Sequence, residues 1–279
     1  MLFYLGGKKQ YLHYPFTLIQ KQTDNRTTIN NQGEFKVKKI LNYFSKGEII
    51  LWSCSVATII ISFFIFKERN YLSLAASIIG ATALIFCARG NPFGQILMIS
   101  FGILYAIISY SFRYYGEMMT YLGMSVPMAF VSLISWIRHP FKGNRSEAKI
   151  NTNLKAKDYI IIAVSTLIIT IVFYFILKFF GTANLIPSTI SVATSFLAVS
   201  FTFRRSPLYA IGYALNDIIL IILWIMASVK DISYLSVVIC FTVFLVNDLH
   251  GFFSWTARAK RQKVQENDVT SENPENAAA

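Results

Sequence analysis

The sequence predicts an all-α membrane protein with eight transmembrane helices. They are arranged as an extra N-terminal helix plus two parallel three-helix bundles joined by a linker helix. Three observations predict it. Apolar runs of roughly 20 residues, the length a helix needs to cross ~30 Å of hydrocarbon, recur along the chain. Charge is scarce, 14% of residues against 54% hydrophobic, and it collects in the short breaks between the runs. Finally, one pair of runs repeats another at a fixed offset.

Residues 1–47 form a basic, polar N-terminal segment without the apolar core and small-residue cleavage site of a signal peptide. Its Asn25-Arg26-Thr27 matches a glycosylation acceptor but is assigned to the cytoplasm. The first span, outside the repeat, covers 48–66 and is broken by Lys67-Glu68-Arg69-Asn70. The first bundle covers 71–137, with spans at Tyr71–Ala88, Phe93–Phe112 and Glu117–Ile137. Arg89-Gly90-Asn91-Pro92 turns the chain inside it, and Pro92 is suited to a helix first turn. A basic linker, 138–158, leads into the linker helix at 159–180. The second bundle, 183–255, has spans at Ala183–Phe203, Leu208–Val229 and Ile232–Trp255, with Arg204-Arg205-Ser206-Pro207 repeating the earlier turn. Residues 256–279, basic and then acidic, read as a disordered cytoplasmic tail.

The net charge of +12 raises nucleic acid as a partner, but its placement speaks for a bilayer instead. With eight spans both termini share one side, and that side holds 21 of the 26 Lys and Arg. The other holds Lys67, Arg69, Arg113, Lys178 and Lys230. The positive-inside rule puts the rich side, and both termini, in the cytoplasm. Cys54, Cys87 and Cys240 lie inside apolar runs without metal or redox spacing and read as core residues. No P-loop, nucleophile elbow, zinc-protease motif, voltage-sensor helix or potassium-filter sequence occurs, so no enzymatic role, cofactor or metal is expected.

Pro92 and Pro207 open equivalent helix pairs at an offset of 115, each ending near a Trp, Trp136 and Trp255. Four helices separate the copies, so the repeats are parallel and a site at their interface is natural. Polar groups at membrane depth are costly and mark such sites. Asn216 and Asp217 fall roughly 12–14 Å into their span at ~1.5 Å per residue. Tyr209, Tyr213, Asn216 and Trp224 share a face, with Asp217 at its border. In the earlier copy the stripe is Gln95, Met98, Gly102, Tyr105 and Ser109; shifted by the offset it becomes Ala210, Tyr213, Asp217, Leu220 and Trp224. The sixth span adds Ser188, Ser191, Ser195 and Thr202, and the eighth Asn247, Asp248 and His250. Helix packing is the competing reading for the hydroxyls and aromatics, and simple solvation near the cytoplasmic end for Asp248 and His250.

Several short stretches, in order and at two-repeat spacing, carry a resemblance. They are Gly90-Asn91, Gly102 with Tyr105, Tyr115-Gly116-Glu117, Pro127, Arg204-Arg205, Asn216-Asp217 and Val246-Asn247-Asp248. Over residues 48–257 the chain resembles the PnuC family of bacterial nicotinamide riboside transporters, whose architecture is shared with SWEET sugar transporters. The family has a Trp-x-x-Trp-x-x-x-Asn signature; here the matching stretch is Tyr209-x-x-Gly212-x-x-x-Asn216, so both Trp positions differ. The resemblance implies a ligand site with Asn216 and a second amide at Asn247.

The resemblance further implies uptake of nicotinamide riboside, a vitamin B3 nucleoside feeding NAD biosynthesis, by facilitated diffusion with alternating access. A cytosolic kinase would trap the product by phosphorylation. The expected location is the bacterial cell membrane, and a homo-oligomer is compatible with it. Substrate-binding candidates are Asn216, Asn247, Tyr209, Tyr213, Asp217, Trp224, Gln95, Tyr105 and Ser195. Amides suit a ribose, aromatic faces suit a pyridinium ring, and Asp217 can offset its charge. The alternatives are another B vitamin such as thiamine, carried by a related branch, or a non-transporting receptor or scaffold.

Overall fold

In hydrocarbon a backbone group without an intramolecular partner is costly, so each apolar run closes its own hydrogen bonds as a helix. The computed structural model of the protein describes residues 43–111, 115–182 and 184–272, with side chains through 268. The basic segment up to residue 42, Phe112, Arg113, Tyr114, Ala183 and the last seven residues of the expected tail lie outside these. Eight helices among the described residues are long and apolar enough to span a membrane, as the sequence predicts.

Helix α1 (Lys46–Ile65) opens on a reciprocal cap: the Ser45 N–H donates to Glu48 at 2.7 Å and the Glu48 N–H to Ser45 Oγ at 3.2 Å. Asn70 caps α2 (Tyr71–Ala88) by accepting from the N–H groups of Leu72 and Ser73. Helix α3 (Phe93–Ser111) follows a tight turn. The next span is α4 (Tyr115–Thr120), a π turn (Tyr121–Ser125) and α5 (Val126–Arg138). Helix α6 (Ala156–Phe179) is the linker helix; α7 (Leu185–Phe203), α8 (Leu208–Ser228) and α9 (Leu235–Glu272) form the second bundle. Within each bundle the middle helix touches both others. Between bundles, α9 packs on α2 and α5 packs on α7, so the third helix of each half reaches the first helix of the other. Helix α6 leans on α7 through Phe173 and Leu177 and leaves Ile160, Leu167 and Phe175 exposed on its outer face.

The turns repeat as the sequence does. The Gly90 N–H donates to Cys87 O and the Asn91 N–H to Phe86 O; 115 residues on, Arg205 and Ser206 make the same bonds to Thr202 and Phe201. Both turns need a left-handed residue: Gly90 has φ 68°, and Arg205 takes φ 55°. The arginine is held by donating to Lys149 O at 3.1 Å and Ser135 Oγ at 2.7 Å.

Two features differ from expectation. The basic linker contains a hairpin, β1 (Pro140–Phe141) and β2 (Asn144–Ala148), antiparallel with Phe141 opposite Asn144. Its two-residue turn, Lys142-Gly143, has positive φ at both positions, which suits strand twist. And α9 does not end at Trp255: residues 256–272 continue the helix instead of being disordered. The physical reason is a dock on the hairpin. Gln262 accepts from the Ile150 N–H at 2.8 Å and donates to Ala148 O at 3.2 Å, while Arg261 and Arg258 meet Glu147.

Candidate functional site

A cavity of about 1020 Å³ lies between the two bundles, at the upper limit of the range of small-molecule sites. One end is bounded by the breaks between spans: Lys67 to Asn70, Tyr115 to Glu117, Phe180 to Thr182 and Lys230 to Tyr234. The repeated stripes meet across it. Met98, Gly102, Tyr105 and Ser109 of α3 line one side, and Tyr213, Asp217, Leu220 and Trp224 of α8 line the other. The lowest members of the two stripes, Gln95 and Ala210, are buried beneath it.

The opposite end is closed by the two tryptophans, fully buried with ring centroids 5.3 Å apart. Each indole bonds the other half of the molecule. Trp136 Nε1 donates to Thr202 O at 2.9 Å, and Trp255 Nε1 donates to Cys87 O at 2.8 Å. The preceding serines do likewise, Ser135 Oγ to Phe203 O at 2.8 Å and Ser254 Oγ to Ala88 O at 2.7 Å. The linker ties the same place: Ala148 N–H donates to Gly90 O and Asn151 N–H to Arg205 O, the paired left-handed residues of the two turns.

Of the nine residues singled out from sequence, six line the cavity: Asn216, Tyr213, Asp217, Trp224, Tyr105 and Ser195. Asn216 is the best defined. Its Oδ1 accepts from Ser191 Oγ and Thr194 Oγ1, both at 3.0 Å. Its NH2 then has no hydrogen bond among the described residues and is available to a ligand. Trp224 packs on Tyr234, centroids 5.3 Å apart.

The other three are not brought to the cavity wall. Asn247, 1% exposed, donates its NH2 to Ser55 Oγ of α1 at 2.9 Å and to Val243 O at 2.8 Å, so the extra helix takes the amide expected to face the ligand. Tyr209 packs edge-on against Trp255, centroids 4.8 Å apart, in the closed end. Gln95 donates to Cys87 Sγ beneath the cavity. Gly212 also has a packing reason: a Cβ there would sit 2.7 Å from Ala198 Cα, so α7 and α8 touch backbone to backbone where the family has an indole.

Other lining residues were not predicted. Tyr121 packs 5.3 Å from Tyr105 and is carried by the π turn. There Val126 N–H bonds Tyr121 O, because Pro127 has no N–H for the carbonyl of Gly123. Pro127 was the signal for it. Glu117 and Glu68 line the wall, and Asp248 lines the floor rather than the solvated end.

Two like bundles around a polar, aromatic cavity at membrane depth, walled off at one end, make this a membrane transporter of the parallel-repeat kind. Residues 70–257, from the end of the first interspan break to just past Trp255, match the family model described as nicotinamide mononucleotide transporter, and the chain belongs to that family. This bears out the PnuC resemblance. A nicotinamide riboside transporter PnuC from Neisseria mucosa is 27% identical over 209 residues, covering 72% of this chain and 78% of that protein. The protein of the same name from Haemophilus influenzae is 23% identical over 196 residues, 69% of this chain and 82% of its own. The fold is shared with a crystal structure of the vitamin B3 transporter PnuC, at TM-score 0.67 and 23% identity, covering 78% of this chain and 94% of that one.

Proposed function

We propose that this chain imports nicotinamide riboside across the bacterial cell membrane by facilitated diffusion, the two bundles opening the central cavity to each side in turn. A cytosolic kinase would then phosphorylate the vitamin and hold it inside the cell. The observation that carries this reading is the cavity itself, lined by corresponding stripes of both repeats and closed at one end by bonds that cross between them. The relatives named for nicotinamide riboside transport support the substrate.

In this reading Asn216 donates to the ribose, Tyr105, Tyr213 and Trp224 offer faces to the cationic ring, Ser195 adds a hydroxyl, and Asp217 offsets the charge. Asn247, Tyr209 and Gln95 hold the cavity's frame without touching the ligand. Both termini lie in the cytoplasm, on the side rich in Lys and Arg, so the closed end faces inward and the cavity opens outward. The test is uptake of labelled nicotinamide riboside into cells lacking other routes. Uptake that saturates and is lost in Asn216→Ala supports the reading. Thiamine taken up in its place would move the chain to the thiamine-carrying branch, and uptake of neither would leave the receptor reading.

A further inference from the structure

The cations at the tryptophan end fall into two sets. One set is paired. Glu147 meets Arg258 at 3.6 Å and also Arg261, Asp158 meets Arg204 at 2.8 Å, and Glu266 meets Lys149 at 2.8 Å. These pairs take every carboxylate of the linker, and of α9 between Trp255 and Glu266. The other set includes Arg138, Lys157 and Lys260, which are exposed and make no ion pair among the described residues. Each of the three continues an exposed apolar stripe of its own helix. On α5, Arg138 stands two helical turns past Val131 and next to Ile137, both exposed. On α6, Lys157 is followed by Ile160, Val164, Ile168 and Ile171 at steps of three and four residues. On α9 the steps run Val246, Leu249, Phe253, Ala257 and Lys260. Such spacing puts each set on one face of its helix. Tyr159, exposed beside Lys157, has the amphipathic ring that favours the membrane–water boundary. The cations of the opposite end are placed otherwise: Lys67, Arg69 and Lys230 line the cavity mouth, and Lys178 leans over the ring of Tyr174.

We propose that Arg138, Lys157 and Lys260 form a binding rim for anionic phospholipid headgroups in the leaflet at the tryptophan end. A cation placed where an apolar stripe leaves the hydrocarbon lays its stem along acyl chains and carries its charge to the phosphates. A second copy of the chain pressed on these faces would bring cation against cation, because the carboxylates of this layer are already paired. An anionic headgroup supplies the missing charge, and the stripe beneath it supplies the surface for its chains. The rim also reaches the closure described above. Arg138 follows Trp136 by two residues and Lys260 follows Trp255 by five, so both helices that carry the closing indoles are held at headgroup level.

Spin-labelled lipids test the rim on the full chain. The protein is reconstituted in phosphatidylcholine bilayers with a trace of spin-labelled phosphatidylglycerol or phosphatidylcholine, and the fraction of label slowed at the protein surface is compared. Phosphatidylglycerol should associate about threefold more strongly than phosphatidylcholine. Salt at about 1 M, where charge is screened within ~3 Å, should bring the two close to parity. The triple variant Arg138→Gln, Lys157→Gln, Lys260→Gln should lose most of the preference. The charge-keeping triple variant Arg138→Lys, Lys157→Arg, Lys260→Arg should retain it. Equal association of the two lipids with wild type overturns the proposal and leaves these cations to a soluble acidic protein. A preference that outlasts high salt, or that the glutamine variant keeps in full, overturns it too. Single replacements, each expected to remove part of the preference, decide the matter should the triple variant fail to fold. The measurement involves no transport, so it stands or falls apart from the substrate.

Discussion

Asn216 is pinned through its acceptor and open at its donor, which makes it a sharp probe of the cavity. Asn216→Ala is expected to raise the KM for uptake about tenfold, equal to roughly 1.4 kcal/mol, the scale of one buried hydrogen bond. Asn216→Asp, which keeps the acceptor but loses the NH2, should not restore it; an unchanged KM in both variants would remove the residue from ligand contact. Asn247 should behave in the opposite way. Its bonds run to Ser55 and Val243, so Asn247→Ala should lower thermal stability by about 1–2 kcal/mol with little change in KM, read by unfolding and uptake together. Gly212→Trp, which would restore the family's aromatic, should lower the yield of folded protein, because α7 and α8 leave no room for a side chain there. From sequence these three positions look alike, each a family-motif residue. What separates them is which neighbour each side chain meets, and that depends on helix rotations which residue spacing leaves undetermined.

At the scale of elements, the spans and turns were legible because lipid forces helices and because Gly90 and Pro92 mark chain reversal. Two departures were not. The π turn adds a residue to one helical turn and so shifts Tyr121 by about 100° relative to a regular helix. Pro127→Ala restores the missing N–H, so a regular helix can form. The expected result is reduced uptake by folded protein, checked by uptake beside gel filtration. The extension of α9 was hidden because its residues are charged and so resemble a solvated tail, while its stabilising partner, the hairpin, is over 100 residues away. Gln262→Ala should speed amide exchange at Ile150, whose N–H would lose its acceptor, by about tenfold, while leaving exchange in α8 unchanged.

For the whole molecule, the alternating access proposed above would require the tryptophan end to part, and the crossed bonds would set what that costs. The repeat and its two tryptophans were visible in the sequence, yet each indole's choice of the opposite half was not, since the offset relates equivalent residues and says nothing about which copy they touch. Cys87, buried in this closure, is a built-in reporter. In a Cys54→Ser background, Trp255→Phe should increase labelling of Cys87 by an impermeant maleimide added from the tryptophan side, by about tenfold for the loss of one buried bond. Adding Trp136→Phe should give less than the product of the single effects, because the rings pack on each other and share one opening event. Equal labelling in wild type and variants would mean that these bonds do not hold the end shut.

The crossed indoles also bear on how such a chain can be built. A donor in the third helix of one half meets a carbonyl in the first helix of the other, and the reverse contact is made by the equivalent residues. That is the pattern of an isologous interface, in which one surface carries both parts of a self-complementary contact. A single bundle therefore holds half of each bond and completes neither. The same closure would form between two identical bundles set about a twofold axis. Helix α6 adds one crossing of the membrane, which lets a single polypeptide present both copies in the same direction.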